Sequence, residues 1–250
     1  MKDRKKIKEI IKKYMFILFL VVVTIAAIAV VVLYQIKGET NMPYHLSKII
    51  ITSTAEGIKK ETEENLRWHY DIAQDNDIRI YIDKNDNFAD DRLLESVVID
   101  NIEITKKPKK GEIKTYMPSA VGDLLFKNED RYLIDSSLEF RGAKENNSKK
   151  LEIGSKGGEI AIRFANINLA EYASNDFEIN EIKHDGTLLE KAEVNEEDIK
   201  FEISFNITIK VNGIRYRGKI ELELPAENLI KNGTAQLEIT DFTNYVFKRI

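Results

Sequence analysis

The sequence predicts a mainly β fold in which an N-terminal transmembrane helix is followed by an antiparallel β-sandwich-like domain with a few short helical turns. Three observations predict it. Met15 to Leu33 is a run of nineteen residues without a charge. From Ile199 apolar residues recur at every second position, the period of a half-buried strand. Asn212-Gly213 then interrupts that alternation with the dipeptide best suited to a type I′ hairpin turn.

The apolar run comes first in the chain. Tyr14 and Tyr34 flank it, and at 1.5 Å per residue the helix between them spans roughly 30 Å, the hydrocarbon thickness of a bilayer. Fourteen of its residues are Leu, Ile, Val or Phe. At about −0.3 to −0.6 kcal/mol each they favour insertion by roughly 4 to 8 kcal/mol. Residues 1–13 form a basic cytoplasmic segment with seven cationic and two acidic side chains, whereas only Lys37 closely follows the run. The excess of Lys and Arg places the N-terminus in the cytoplasm and the C-terminal domain outside the cell membrane. Residues 14–34 are then the transmembrane helix, in contact with the lipid bilayer from Tyr14 to Tyr34. Residues 35–44 are a juxtamembrane joint, and 45–250 the extracytoplasmic domain, with a subdivision open near 119–148.

Two other uses of such a segment compete. A cleaved signal peptide has a shorter apolar region and ends in small residues, but Leu33-Tyr34-Gln35-Ile36-Lys37 is bulky. A pilin-like leader would carry Gly before the run and Glu five residues beyond it, and both are missing. A retained signal-anchor is the expectation.

The 250-residue chain carries a net charge of −4, which becomes −9 for residues 14–250 once the basic start is set aside. A domain of that charge repels nucleic acid, so no nucleic-acid partner is expected. Cysteine is absent, which excludes disulfides, thiolate nucleophiles and zinc thiolate sites. An extracytoplasmic domain without disulfides fits a bacterial cell envelope, as does the abundance of Lys, Ile, Asn and Glu.

In the C-terminal hairpin Ile199, Phe201, Ile203, Phe205, Ile207, Ile209 and Val211 alternate with polar residues, and the apolar set resumes as Ile214, Tyr216, Ile220, Leu222 and Leu224. A two-residue loop sets Val211 opposite Ile214 and Phe205 opposite Ile220, so the apolar faces coincide. Upstream, Leu66, Trp68, Tyr70 and Ile72 alternate with polar residues, and Asp75-Asn76-Asp77 reads as a turn into Ile78, Ile80 and Ile82. Val97 and Ile99 lie on one parity, Ile102 and Ile104 on the other, so a bulge is expected at Asp100-Asn101. Lys107 to Gly111 turns the chain into Glu112–Met117. Gly157-Gly158 reads as a hairpin turn between Leu151–Ile153 and Ile160–Phe164, and Asp185-Gly186 as another between Ile182 and Leu188-Leu189. Helical turns are expected at Ser119–Asn128, Asn168–Ser174 and Ala226–Lys231, the last closed by Asn232-Gly233. Lys144–Ser148 reads as a loop.

Catalytic and metal-binding patterns are sparse. Gly154-Ser155-Lys156-Gly157-Gly158 lacks phosphate-loop spacing and leads into a strand-like segment. Asp83-Lys84-Asn85-Asp86-Asn87 begins like a calcium loop, but Phe88 stands where Gly is needed and Leu94 where a bidentate Glu is needed. His45, His69 and His184 are in no ligand spacing, and no G-x-S-x-G is present. Trp68 shares the face of Leu66 and Tyr70 and is expected in the core. Leu224-Pro225-Ala226-Glu227-Asn228 lacks the Thr and Gly of a wall-sorting signal. The hairpin register places Glu202 opposite Glu223 with carboxylates about 5 Å apart, the separation of a retaining glycosidase pair or two ligands of a metal site. With forty carboxylates beyond residue 13 such a coincidence is cheap, and tolerated repulsion relieved by Lys200 is the better reading of the pair. No cofactor, metal or catalytic residue is assigned.

Asn41–Ile49 running into Ser53–Gly57, and Val246–Arg249 near the C-terminus, resemble segments of uncharacterised single-pass membrane proteins of low-GC Gram-positive bacteria. The resemblance implies an anchor followed by a β-rich domain and no activity. The expected function is a non-catalytic binding or structural module of the cell envelope that binds an envelope protein, a wall component or its own copies. Two alternatives stand beside it: a glycan hydrolase using Glu202 and Glu223, and a subunit of a membrane or pilin-like assembly.

Overall fold

A computed structural model describes residues 2–60, 68–89, 91–119, 124–143, 151–174 and 187–250. It is mainly β, with two sheets, few helices, and one N-terminal apolar helix long enough to cross a membrane. That helix, α1, spans Lys2–Lys37. From Lys12 to Lys37 it lies outside both sheets, with none of its most apolar window buried within the fold. The one polar side chain of its apolar run is satisfied internally, because the Thr24 hydroxyl donates to the Leu20 carbonyl at 2.9 Å.

The first sheet is built on three long strands, β1 (Tyr44–Lys60), β2 (Trp68–Lys84) and a later one spanning Gly157–Ser174. Between them in the chain come β3 (Leu94–Lys106), β4 (Glu112–Tyr116), β5 (Ser137–Ala143) and β6 (Glu152–Gly154), so the third long strand is β7. After the short helices α2 (Thr187–Lys191) and α3 (Glu196–Ile199) follow β8 (Glu202–Val211) and β9 (Ile214–Glu223). Helix α4 (Leu229–Asn232), β10 (Thr234–Ile239) and β11 (Phe247–Arg249) complete the described elements. The sheets run β10-β1-β2-β7-β4 and β11-β9-β8-β3-β5-β6.

The C-terminal hairpin forms in the expected register, with Val211 opposite Ile214, Phe205 opposite Ile220 and Glu202 opposite Glu223. Asn212 and Gly213 take φ of 47° and 76°, the two positive values a type I′ turn requires. Its leading strand starts later than the alternation implies, because Ile199 closes α3, whose first turn is held by a capping box between Asn195 and Asp198. The bulge at Asp100-Asn101 is present: Asp100 and Glu103 face Asn206 and Ser204, and Asn101 takes φ of 51°.

Several expectations are corrected. Asp75-Asn76-Asp77 is no turn but the middle of β2, paired with β1 on one side and β7 on the other. Gly157-Gly158 is no hairpin, because β6 joins the second sheet and β7 the first, so the chain crosses between sheets there. Asn168–Ser174 is strand. Ile72 and Gln74 face Ala170 and Asn166, so β7 accommodates two extra residues around Asn168, whose φ is 54°. Leu188 and Leu189 are helical, and their apolar side chains are buried with α3 and α4 rather than in a sheet. The domain is also not wholly antiparallel, since β5 and β6 run parallel. Of the remaining helical expectations, Ala226–Lys231 contains the start of α4, ended by Gly233. In Ser119–Asn128 only 119 and 124–128 are described, and they are not helical; the nearest 3-10 turn is Asp130–Tyr132. Ile182, His184, Asp185-Gly186, Leu66 and Lys144–Ser148 lie outside the described residues.

One apolar cluster draws on both sheets, taking Ile49, Ile51, Ile78, Ile80, Ile162 and Phe164 from the first and Val97, Phe140, Ile203, Phe205, Ile207 and Ile220 from the second. At about 3.3 Å per residue β1, β2 and β7 reach about 55 Å, whereas β8 and β9 reach about 33 Å. The far ends of the long strands are covered differently. Ala55, Ile72 and Leu169 pack against Leu188, Leu189, Ile199 and Leu229 of the short helices in a second cluster. Between the two clusters lies a buried polar layer, Ser53, Gln74, Asn76 and Asn166.

Candidate functional site

The Glu202–Glu223 pair occupies the strand ends as expected, and each carboxylate has a lysine. Glu223 contacts Lys200 Nζ at 2.5 Å and Glu202 lies 3.6 Å from Lys106 Nζ, with the two glutamate side chains 55% and 42% exposed. The hydrogen bond from Lys200 holds the Glu223 carboxyl below its ordinary range. That is the opposite of what a general acid requires, since the proton donor of a glycosidase needs a raised pKa. Glu223 and Lys200 line one side of a groove of about 510 Å3, with Glu196, Pro225, Gln236 and Leu237 also on its walls.

The groove runs along β10, an edge strand. The Ala55 N–H donates to the Gly233 carbonyl at 2.9 Å, and in the same register Ser53 faces Ala235 and Ile51 faces Leu237. Alternate residues of an antiparallel edge bond inward, so the backbone groups of Thr234, Gln236 and Glu238 point away from β1.

The most constrained charged cluster lies elsewhere, on the face of the first sheet turned away from the second. Asp75 and Asp77 of β2 and Arg163 of β7 share that face, because Asp77 pairs with Arg163 across the strands. Arg163 donates from Nε to Asp77 at 2.5 Å, from Nη2 to Asp77 at 3.0 Å and from Nη1 to Asp75 at 2.7 Å. The Asn128 amide donates to both Asp75 oxygens, at 3.0 and 3.1 Å, and accepts from Arg163 at 3.2 Å. The Phe126 ring lies 4.9 Å from the guanidinium, so the segment after residue 124 covers the cluster. Asp75 is 2% exposed at its side chain and Arg163 14%.

Burial pushes the Asp75 carboxyl up to about 6; Arg163 and Asn128 pull it down, and the nearby charges of Glu56 and Asp77 raise it further. Burial also opposes the Arg163 charge, yet the Asp77 hydrogen bond and both carboxylates outweigh it and keep the pKa above its usual value. With four of its five N–H donors engaged, the guanidinium holds the 124–128 segment against the sheet and offers little to a ligand. On the other face of the same strands, the Asn76 Oδ1 accepts from Ser53 at 2.5 Å and Gln74 at 3.2 Å, while its amide donates to the Phe164 carbonyl at 3.0 Å. These bonds explain why Asp75-Asn76-Asp77 stays extended: each of its side chains has a partner on a neighbouring strand or on the segment above.

The raised Asp75 pKa makes stability depend on pH. Unfolded, the carboxyl titrates near 3.8; folded, near 6. Between those values the folded chain holds more protons, so this contribution is complete below about pH 4 and lost as pH rises through about 6, a change of roughly 3 kcal/mol. Asp75→Asn is expected to abolish it. Urea unfolding of the native chain and the variant in detergent should show their stability difference shifting by that amount between pH 4 and 7, in favour of the variant at the higher pH. A difference that does not vary with pH contradicts the assignment.

The remaining residues singled out in the sequence are dispersed. His45 is exposed and His69 half-buried. Asn85, in the calcium-like segment, spends its side chain on the local turn, donating to the Met42 carbonyl at 3.3 Å and accepting from the Asn87 N–H at 3.1 Å. Among the described residues no three His, Asp or Glu side chains converge as a metal site. The sequence reading missed the Asp75–Arg163 cluster because Asp75-Asn76-Asp77 has turn composition. The signal that could have found it is parity: Tyr70, Ile72, Ile78, Ile80 and Ile82 keep one face through the supposed turn. No protein family, curated protein or solved structure matches this chain.

Proposed function

We propose that this is a single-pass protein of the bacterial cell envelope, anchored by residues 14–34 with its basic N-terminus in the cytoplasm. Its two sheets then form a sandwich-like extracytoplasmic module that binds an envelope protein, a wall component or its own copies. One observation carries the reading. Helix α1 exposes Met15, Phe16, Leu18, Phe19, Ile25 and Ile28 by more than half, whereas among the described residues of the domain beside it the exposed large apolar side chains are few and scattered, Ile58, Leu124, Leu237 and Ile250. The core helix of a water-soluble protein would be covered by its own chain; lipid covers this one, at a gain of roughly 4 to 8 kcal/mol. The binding role is supported by the groove beside the open edge of β10, while the pairing of Glu202 and Glu223 with lysines speaks against the glycan hydrolase.

Fractionation and protease protection test it together. The full-length chain is expected to resist carbonate extraction from bacterial membranes. Protease added to intact spheroplasts is expected to remove residues beyond about 44 while leaving a small fragment containing α1. Release by carbonate, or survival of the β domain in intact spheroplasts with degradation after lysis, refutes the anchor or its orientation.

A further inference from the structure

Helix α1 does not end in a free tether. Gly38, at φ 67°, closes the helix by donating its N–H to the Tyr34 carbonyl at 2.8 Å, and the place a Cβ would take there is filled by the Phe247 carbonyl. The Glu39 N–H donates to that same carbonyl at 2.7 Å. The Arg249 N–H donates to the Tyr34 hydroxyl at 3.1 Å, and Lys248 Nζ to Gln35 Oε1 at 2.5 Å. Strand β11 is thus clasped between the last turn of α1 and β9, where Phe247 lies over Gly218.

The cations gathered here differ from their neighbours on β8 and β9. Lys210 is paired with Glu95 at 2.7 Å, Arg217 with Asp100 and Lys219 with Glu221 at 2.6 Å. Lys37, Arg215, Lys248 and Arg249 form no ion pair among the described residues. Arg215 and Arg249 are exposed. In a chain that carries −9 beyond residue 13, four cations without carboxylate partners collect beside the end of the apolar helix.

We propose that this face, formed by β11, Arg215 and Lys37, docks on the bilayer surface and binds the phosphates of anionic lipid headgroups. The inference rests on α1 spanning the membrane. In that case Tyr34 lies at headgroup level, and groups hydrogen-bonded to Tyr34 and Gln35 are held within a few ångströms of the lipid phosphates. That is inside a Debye length of about 8 Å, so these cations feel the surface potential with little screening. Arginine suits phosphate because its planar fork donates two parallel hydrogen bonds. Each cation near an anionic surface favours contact by roughly fivefold. The partner is therefore a lipid surface, and the β domain is held against it in one orientation by the clasp on α1.

The absence of cysteine makes a site-specific probe simple. The full-length Ile250→Cys chain, labelled with a fluorophore, is placed in nanodiscs of phosphatidylcholine alone or of equal parts phosphatidylcholine and phosphatidylglycerol, both doped with a headgroup-linked quencher. Quenching is expected to be several-fold stronger in the anionic discs at low salt. High salt should erase the difference, and so should Arg215→Gln together with Arg249→Gln, two exposed changes that leave the urea midpoint in place. Equal quenching in both lipids, or quenching unmoved by loss of the two arginines, overturns the headgroup proposal while α1 remains inserted. Failure of the chain to enter either disc overturns the membrane reading, and this proposal with it.

Discussion

Val22→Lys combined with Ile25→Lys is expected to convert the protein from carbonate-resistant to carbonate-extractable. Both residues lie near the centre of the apolar run, exposed by 56% and 61% in the fold. Each substitution replaces a side chain worth about −0.3 to −0.6 kcal/mol with one costing about 2.5 to 3.5 kcal/mol at the helix centre. Together they remove about 6 to 8 kcal/mol, the whole of the estimated insertion free energy. Because these positions touch neither sheet, the unfolding midpoint of the β domain should not move. Retention of the double variant in the carbonate-washed pellet would mean that something other than lipid solvation of α1 holds the chain there.

Arg163→Leu carries the largest expected effect within the β domain. It strips the shared counter-ion from Asp75 and Asp77 and the cation from the Phe126 ring. Removing one partner of a buried ion pair costs about 3 to 5 kcal/mol, because the charge left behind has neither water nor a partner. Urea unfolding at pH 7 should show that loss. It should shrink at pH 5, where Asp75, already raised to about 6, takes up a proton more readily. Hydrogen exchange should localise the damage: the amides of residues 124–128 lose protection first, since Asn128 and Phe126 are held down by this cluster. Loss spread evenly over both sheets would contradict a role in pinning that segment.

The C-terminal hairpin was legible because its information is local. Strict alternation, a two-residue loop and Asn-Gly specify register without reference to any other strand. The bulge at Asp100-Asn101 was legible for a similar reason, as a change of parity within one strand. The apolar helix was legible from length and composition alone. By contrast, Asp75-Asn76-Asp77 has the composition of a turn, and its extended conformation depends on Ser53, Asn128, Arg163 and Phe164, all distant in sequence. Gly157-Gly158 failed in the same way: two glycines mark a change of direction, but which sheet each flank joins is settled by strands far along the chain.

For this chain, residue order alone determined the apolar helix, the basic segment before it, the β class and the register of one hairpin, because these follow from periods and transfer energies summed over neighbouring residues. Only the tertiary structure decided which strands share a sheet, that Asp75 and Arg163 meet under Asn128, and that β11 clasps the end of α1. Such contacts join residues tens to hundreds of positions apart. Burial and charge pairing select them from many arrangements that the same local patterns allow.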